Sequence, residues 1–136
     1  HWYDQIGSFS LDHILKHAGP IPDVGERIVA TTVQVSTFES LCRRHGIERL
    51  DLVHVDAEGH DAVILQLIDL DRHRPAIVIY EHKHLDDDER AACHAYLSRH
   101  GYDWHEAGDD TVCVRRSEAA GPWSRLGPTW ARVRRR

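Results

Sequence analysis

Two carboxylates, a glycine and a histidine follow a short apolar segment near the middle of this chain. Asp56 and Glu58 stand directly after residues 50–55, and Gly59 and His60 come next. Parallel strands of an α/β sheet are buried on both faces, so they appear as short apolar runs, and ligands bind beyond their carboxyl ends. Asp56 is therefore predicted to lie at a ligand-binding or catalytic site. A helix cap is the alternative, because an acidic side chain at a helix N-terminus accepts hydrogen bonds from unpaired N–H groups.

The residues before this segment predict a helix, a strand and a second helix. A helix is expected from Ser10 to about His17, before a loop that contains two prolines. The β-branched residues of 28–35 predict a strand. Ser36 and Glu39 have the spacing of a capping box, which would begin a short helix that closes at Gly46.

The residues after the segment predict a further strand between two helices, and then a hairpin. One helix is expected to run from the loop after Asp56 to about Leu70, followed by a buried strand over 76–81. Asp86 and Glu89 form another capping box, for a helix stopped by Gly101. Residues 102–107 and 111–115 flank a turn and predict a hairpin. Strands that alternate with helices predict an α/β fold with parallel strands.

Several segments resemble, in the same order, the C-terminal half of the FkbM-like methyltransferases, which depend on S-adenosylmethionine. They are residues 2–8, residues 33–41, Val55-Asp56-Ala57-Glu58-Gly59 and residues 77–82, and the likeness covers about residues 1–116. The resemblance implies the C-terminal part of a Rossmann-like class I methyltransferase sheet, with helices and a final antiparallel hairpin. One departure is His54, where the family commonly has lysine or glutamine, so no role is carried over to that position.

The resemblance also implies a reaction, the transfer of a methyl group from S-adenosylmethionine to a hydroxyl of a small molecule or sugar. The donor is already activated, so the protein mainly aligns the reacting atoms. The acceptor hydroxyl must lose its proton during attack, so a group near the strand ends should act as a general base. The candidates are Asp56, Glu58, His60 and His82. Asp56 comes first, because in such folds its loop faces the reactive end of the cofactor.

A metal site is a further expectation at the two strand ends. Asp56, Glu81 and His82 would offer oxygen and nitrogen ligands to a divalent ion such as Mg²⁺, which would favour the ionised form of an acceptor hydroxyl. The alternative is that Glu81 and His82 hydrogen-bond to loop backbone or pair with an arginine.

The glycines limit how much of the cofactor site this chain can hold. No two of its nine glycines are separated by a single residue, so it has no G-x-G turn for close approach to the cofactor. With 136 residues, we expect the distal part of a methyltransferase domain over residues 1–116. This part would comprise a variable helix and loop at 1–27 and a strand-helix core at 28–116, before a basic tail at 117–136.

Composition narrows the class of protein. The chain is 41% hydrophobic and 29% charged with a net charge of −5, and no apolar run approaches the ~20 residues that span a bilayer, so no membrane role is expected. Cys42, Cys93 and Cys113 lie far apart among apolar neighbours, which predicts buried free thiols and a reducing, cytoplasmic setting. The arginines of the tail lack interleaved aromatic residues, which argues against nucleic-acid binding.

Two other functions stay open from the sequence alone. A non-catalytic module could bind a partner or form a homo-oligomer through a sheet edge left exposed where other strands would pair. A metal-dependent hydrolase could use Asp56, Glu58, Glu81 and His82, although the chain has neither a nucleophile motif nor an H-E-x-x-H ligand pair. Titration with S-adenosylmethionine distinguishes the enzyme from both alternatives.

Overall fold

A computed structural model describes residues 7–116, which fall into two compact units divided after Val35. The first unit contains α1 (Leu11–Leu15), a 3-10 turn over Lys16–Ala18 and α2 (Val24–Arg27). The helix predicted from Ser10 is confirmed, because the Ser10 hydroxyl accepts a hydrogen bond from the N–H of His13 and caps α1. The predicted basic tail lies outside the described residues, as does most of the segment 2–8.

Residues 28–35 do not form the strand that the sequence predicts. They have no regular secondary structure, and Val29 and Val35 are 86% and 79% exposed. β-branched residues favour a strand only where a neighbouring strand and a buried face are available to them. The sheet described below is made of four other strands, so these residues have no place in it.

The second unit is a four-stranded sheet with helices, and its strand order is β1-β2-β4-β3. Its elements are α3 (Phe38–Arg44), β1 (Leu52–Val55), α4 (Asp61–Gln66), α5 (Leu70–His73), β2 (Ile77–Glu81), α6 (Asp87–Arg99), β3 (Tyr102–Ala107) and β4 (Asp110–Arg115). β1 runs parallel to β2, and Val53 lies opposite Val78. β4 is antiparallel to both β2 and β3. The predicted parallel pair and the predicted hairpin are therefore confirmed, and the fold is α/β.

Two predicted helix boundaries differ in the structure. The N-cap of α3 is Thr37 rather than Ser36, because the Thr37 hydroxyl accepts a hydrogen bond from the N–H of Ser40 at 3.1 Å. The single helix predicted after the acidic loop is two helices, α4 and α5. The carboxylate of Asp69 accepts the N–H of Arg72 at 2.9 Å and begins a new helix there. Short polar side chains at these positions compete with helix continuation by bonding to nearby backbone.

The capping box of α6 is present as predicted. Asp86 accepts a hydrogen bond from the backbone N–H of Glu89, whose side chain accepts one from the backbone N–H of Asp86. These bonds satisfy N–H groups that have no partner within the helix. α6 then ends before Gly101, whose φ of 86° is readily adopted by glycine alone.

The core lies on one face of the sheet, against α4 and α6. Its buried members include Val53, Val55, Leu65, Val78, Tyr80, Cys93, Leu97, Tyr102 and Cys113. The three cysteines are free and buried, as the sequence predicts, and burial raises the pKa of the Cys93 thiol to about 11. On the other face, Leu52 and His54 of β1 are exposed. No helix within residues 7–116 is long and apolar enough to cross a bilayer.

Candidate functional site

The loop between β1 and α4 contains two residues with positive φ, and one buried carboxylate accepts hydrogen bonds from its backbone. Glu58 and Gly59 both have positive φ, of 49° and 96°. The left-handed region costs a residue other than glycine roughly 1–2 kcal/mol, so other contacts must hold Glu58 there. Asp61, the first residue of α4, is fully buried, and its Oδ2 accepts hydrogen bonds from the N–H groups of Ala57 and Gly59 at 3.3 Å each. Asp61 therefore sets the shape of the loop.

Asp61 has one more property that the sequence analysis did not single out. Its Oδ1 is buried and has no hydrogen-bond partner within the described part of the chain. A buried carboxylate oxygen without a partner is costly, so such oxygens deserve an explanation. The signal available in the sequence was its position at the start of a helix, two residues after a glycine in a strained turn.

Asp56 is exposed at the carboxyl end of β1. Among the residues that the structure describes, its side chain has no hydrogen bond and no ion pair. The N-cap of α4 is His60, which makes no side-chain capping bond, so Asp56 is not the helix cap that the alternative interpretation required. His60 itself is half-buried, and its backbone N–H donates to the carbonyl of Ala57 at 3.1 Å. The carboxylate of Asp56 therefore faces solvent next to the loop.

Further carboxylates gather around Asp56 where β1 and β2 end. Burial raises the pKa of the Glu81 carboxyl. His84 opposes this shift, whereas the charges of Asp56, Glu58 and Asp61 raise the pKa further. The parallel strands therefore bring Asp56 and Glu81 to one acidic edge of the sheet, as the sequence predicts. We call Asp56, Glu58, Asp61 and Glu81 the acidic cluster.

His84 connects two members of the acidic cluster. Its Nε2 lies 3.4 Å from Oε2 of Glu58 and 3.7 Å from Oε2 of Glu81. The side chains of His84 and Glu81 are only 27% and 16% exposed, so the contact is largely shielded from water. The sequence analysis did not select His84. The signal was its position three residues after Glu81, in the turn that follows β2.

His82 belongs to a different group from Glu81. It is buried, and its Nδ1 lies 2.9 Å from Oγ1 of Thr111 on the neighbouring strand β4. Its charge acts on His94 of α6 and on Glu106 of β3. Successive residues of a strand point to opposite faces of a sheet, which separates His82 from its neighbour in the sequence. The structure thus brings Glu81, but not His82, to the acidic cluster.

The group around His82 includes an imidazole stacked on an indole. The rings of His94 and Trp104 have centroids 3.5 Å apart and planes 8° from parallel. Arg90 donates a hydrogen bond to Glu106 at 2.9 Å in the same region. Burial lowers the pKa of His94, Glu106 opposes this shift, and Arg90 and His82 add to it. His94 is therefore held in its neutral form to lower pH than an ordinary histidine.

We expect the free energy of unfolding to fall as the pH drops below about 6.5. Since the pKa of His94 is lowered in the folded state, the unfolded chain takes up the proton first, and acid favours unfolding. The stabilisation that neutral His94 contributes is fully present above the pKa of this histidine in the unfolded chain. It is lost as the pH falls through the pKa of His94 in the folded protein. Urea unfolding across this range should show a smaller pH dependence for His94→Gln than for the wild type. His45→Gln, at an exposed position, is the control, and equal slopes for all three proteins would contradict the prediction.

Comparison with known proteins gives one match. The family model described as the methyltransferase FkbM domain matches residues 3–104, which is more than half of the chain. The matched range contains β1, β2, the acidic cluster and α6. No curated protein and no solved structure matches the chain.

Proposed function

Because this chain belongs to the FkbM methyltransferase family, we propose that it takes part in methyl transfer from S-adenosylmethionine to a hydroxyl oxygen. The acceptor in this proposal is a hydroxylated small molecule or a sugar. The observation that carries the proposal is the parallel pair β1 and β2 inside the matched range, with the exposed carboxylate of Asp56 at its carboxyl end. Ligands of open α/β sheets bind at this edge.

The same observations support a Rossmann-like class I methyltransferase fold. A parallel pair covered by helices on one face and followed by an antiparallel hairpin agrees with the architecture that the family implies. The free thiols of Cys42, Cys93 and Cys113 favour a reducing compartment, so we place the protein in the cytoplasm.

The charge of the acidic cluster suits S-adenosylmethionine. The cofactor carries a positive sulfonium, and the cluster sets four carboxylates against the one imidazole of His84. A site lined by one sign of charge concentrates ligands of the opposite sign. When bound, S-adenosylmethionine supplies the activated methyl group. We assign Asp56 to hold the cofactor.

Asp56 is also our first candidate for the general base. Its exposed carboxylate can accept a hydrogen bond from an acceptor hydroxyl and take the proton as the oxygen attacks. Glu58 and His60 lie in the same loop, and we assign them to orienting the acceptor. His82 is buried and bonded to Thr111, so we give it no proton-transfer step at this edge.

A binding function is the second candidate. β1 lies at one edge of the described sheet, and Leu52 on its open face is 53% exposed. An unpaired edge strand is a template for a further strand, so a second copy of the chain could pair there and give a homo-oligomer. The metal-dependent hydrolase is not proposed, because the family match is to a methyltransferase.

The test follows a labelled methyl group. The 136-residue chain and the product of the intact gene are each incubated with methyl-labelled S-adenosylmethionine and a panel of sugars and other hydroxylated compounds. We expect the intact gene product to transfer label and to form S-adenosylhomocysteine in equal amount. If neither protein binds the cofactor by calorimetry or transfers label, the methyltransferase proposal is wrong. Dimerisation without cofactor binding would then favour the binding function.

A further inference from the structure

Arginine side chains lie at the end of the sheet opposite the acidic cluster. Arg74 comes shortly before β2, and the backbone N–H of Arg115, the last residue of β4, donates to the carbonyl of Ala76 at 3.0 Å. Both arginines therefore lie at the amino end of β2, whereas Glu81 lies at its carboxyl end. The strand extends about 13 Å between its first and last residues, so the two ends are separate places.

These arginines line a cleft of about 440 Å³. Five charged or polar side chains contribute to its lining: Asp71, Arg74, His100, Arg115 and Arg116. The volume falls within the range of small-molecule sites, but most such sites are lined mainly by apolar side chains. Three guanidinium groups and one carboxylate line this cleft, so its charge favours an anion.

The carboxylate of Asp71 already has a partner in the cleft. Its Oδ1 lies 3.0 Å from Nδ1 of His100, and the side chain of Asp71 is 80% exposed. An exposed carboxylate is screened by water and cancels little of the charge of nearby arginines. The cleft therefore keeps an excess of positive charge.

Arg116 is positioned by the backbone of two neighbouring elements. One of its Nη atoms donates to the carbonyl of Ser98 at 2.8 Å and to that of Tyr102 at 3.4 Å, and its Nε lies 3.5 Å from Oδ1 of Asp103. A guanidinium has five N–H donors in a planar fork. Within residues 7–116, the other Nη of Arg116 makes none of these contacts, so it can donate to a ligand.

Arg74 has a backbone conformation that favours glycine. It ends α5 with φ of 47° and ψ of 49°, in the left-handed region, where glycine is the usual residue. The following Pro75 makes this conformation less favourable still. Among the residues that the structure describes, neither a hydrogen bond nor an ion pair holds the exposed guanidinium of Arg74. Backbone strain of this kind is common at ligand sites, and it supports a binding role for Arg74.

The buried hydroxyl of Tyr102 connects two of the arginines to one place. It donates to the carbonyl of Pro75 at 2.6 Å. Burial raises the pKa of Tyr102 to about 12, and the charges of Arg115 and Arg74 both oppose this shift. Both guanidinium groups therefore act on the same side chain, which agrees with their shared position in the cleft.

We propose that this cleft binds a phosphate group, either free or carried by a small molecule, through Arg74, Arg115 and Arg116. A guanidinium matches two phosphate oxygens with two parallel N–H···O bonds, and a phosphate dianion compensates two positive charges. The cleft is separate from the acidic cluster, so the proposal goes beyond methyl transfer and is tested without cofactor or acceptor.

The experiment titrates the 136-residue chain with inorganic phosphate and with glucose 6-phosphate in a calorimeter. We expect saturable binding of one molecule per chain. Tighter binding of the sugar phosphate would assign the cleft to a phosphorylated compound, and equal binding would assign it to the phosphate group alone. Arg74→Gly should weaken binding about tenfold or more, because charged hydrogen bonds are lost. Arg74→Lys keeps the charge without the planar fork and should weaken binding less.

Stability separates a binding role of Arg74 from a structural one. Arg74→Gly should unfold at the same temperature as the wild type or higher, because glycine adopts positive φ without strain. Glucose 6-phosphate should raise the unfolding temperature of the wild type but not that of Arg74→Gly. If Arg74→Gly does not fold, Arg74→Gln replaces it in the titration.

Arg44→Gln is the matched control, because it removes the same charge from an exposed arginine at the end of α3 that does not line the cleft. This variant should bind both probes like the wild type. Two results would overturn the proposal. One is that neither probe saturates the wild type in the millimolar range. The other is that Arg74→Gly weakens binding no more than Arg44→Gln does.

Discussion

Asp61→Ala should lower the free energy of unfolding by about 2–4 kcal/mol, because two backbone N–H groups lose their acceptor in a partly buried loop. The same change should loosen the positive-φ turn at Glu58 and Gly59, which those two bonds help to hold. Urea unfolding followed by circular dichroism measures the loss of stability. The change should be visible even if the chain transfers no methyl group.

Asp61→Asn is the matched control for this prediction. The amide keeps the shape of the side chain and one oxygen acceptor but removes the charge, so the loss should be clearly smaller than for alanine. An equal or higher stability of Asp61→Ala would contradict the prediction. It would mean that the cost of burying the carboxylate exceeds what its two hydrogen bonds contribute.

Asp56→Asn should reduce the rate of methyl transfer by about 10²–10⁴-fold, because the amide cannot take the proton of an acceptor hydroxyl. Stability should stay within about 0.5 kcal/mol of the wild type, since the side chain is exposed and makes no hydrogen bond in the described structure. The labelled-methyl assay on the intact gene product gives the rate, and thermal unfolding gives the stability.

Asp51→Asn is the control for Asp56→Asn. Asp51 is an exposed carboxylate just before the other end of β1, where it pairs with Arg49 at 2.7 Å. This variant should keep its activity. If Asp56→Asn retains more than a third of the wild-type rate, Asp56 is not the general base.

The strands of the second unit could be predicted because their apolar and β-branched residues indicate buried strands. β1 and β2 are short apolar runs, and the hairpin turns at Gly108, whose φ of 70° suits glycine. Residues 28–35 have the same β-branched composition and yet form no strand. The alternation of apolar and polar residues indicates which side chains would share a face of a strand. It does not indicate whether a neighbouring strand is present to pair with them.

The candidate site was predictable only where it follows from strand direction. Asp56 and Glu81 were expected together, because the carboxyl ends of parallel strands meet at one edge. His82 was expected with them, but the alternation of side chains along a strand places it near Thr111 instead. The sequence analysis missed His84 and Asp61. Their contacts with the loop after β1 depend on the path of the turn after β2 and on the position of the first residue of α4, which the sequence pattern does not give.

The position of β4 between β2 and β3 has a consequence for synthesis on the ribosome. Residues 110–115 form the last strand within the described residues, yet they pair with the edge of β2 that faces away from β1, and β2 is complete by residue 81. A β1–β2 pair that formed before residues 110–115 were synthesised would expose a row of unpaired amide and carbonyl groups along that edge, and such edges pair readily with other chains. The described sheet can therefore be completed only after residues 110–115 have been synthesised.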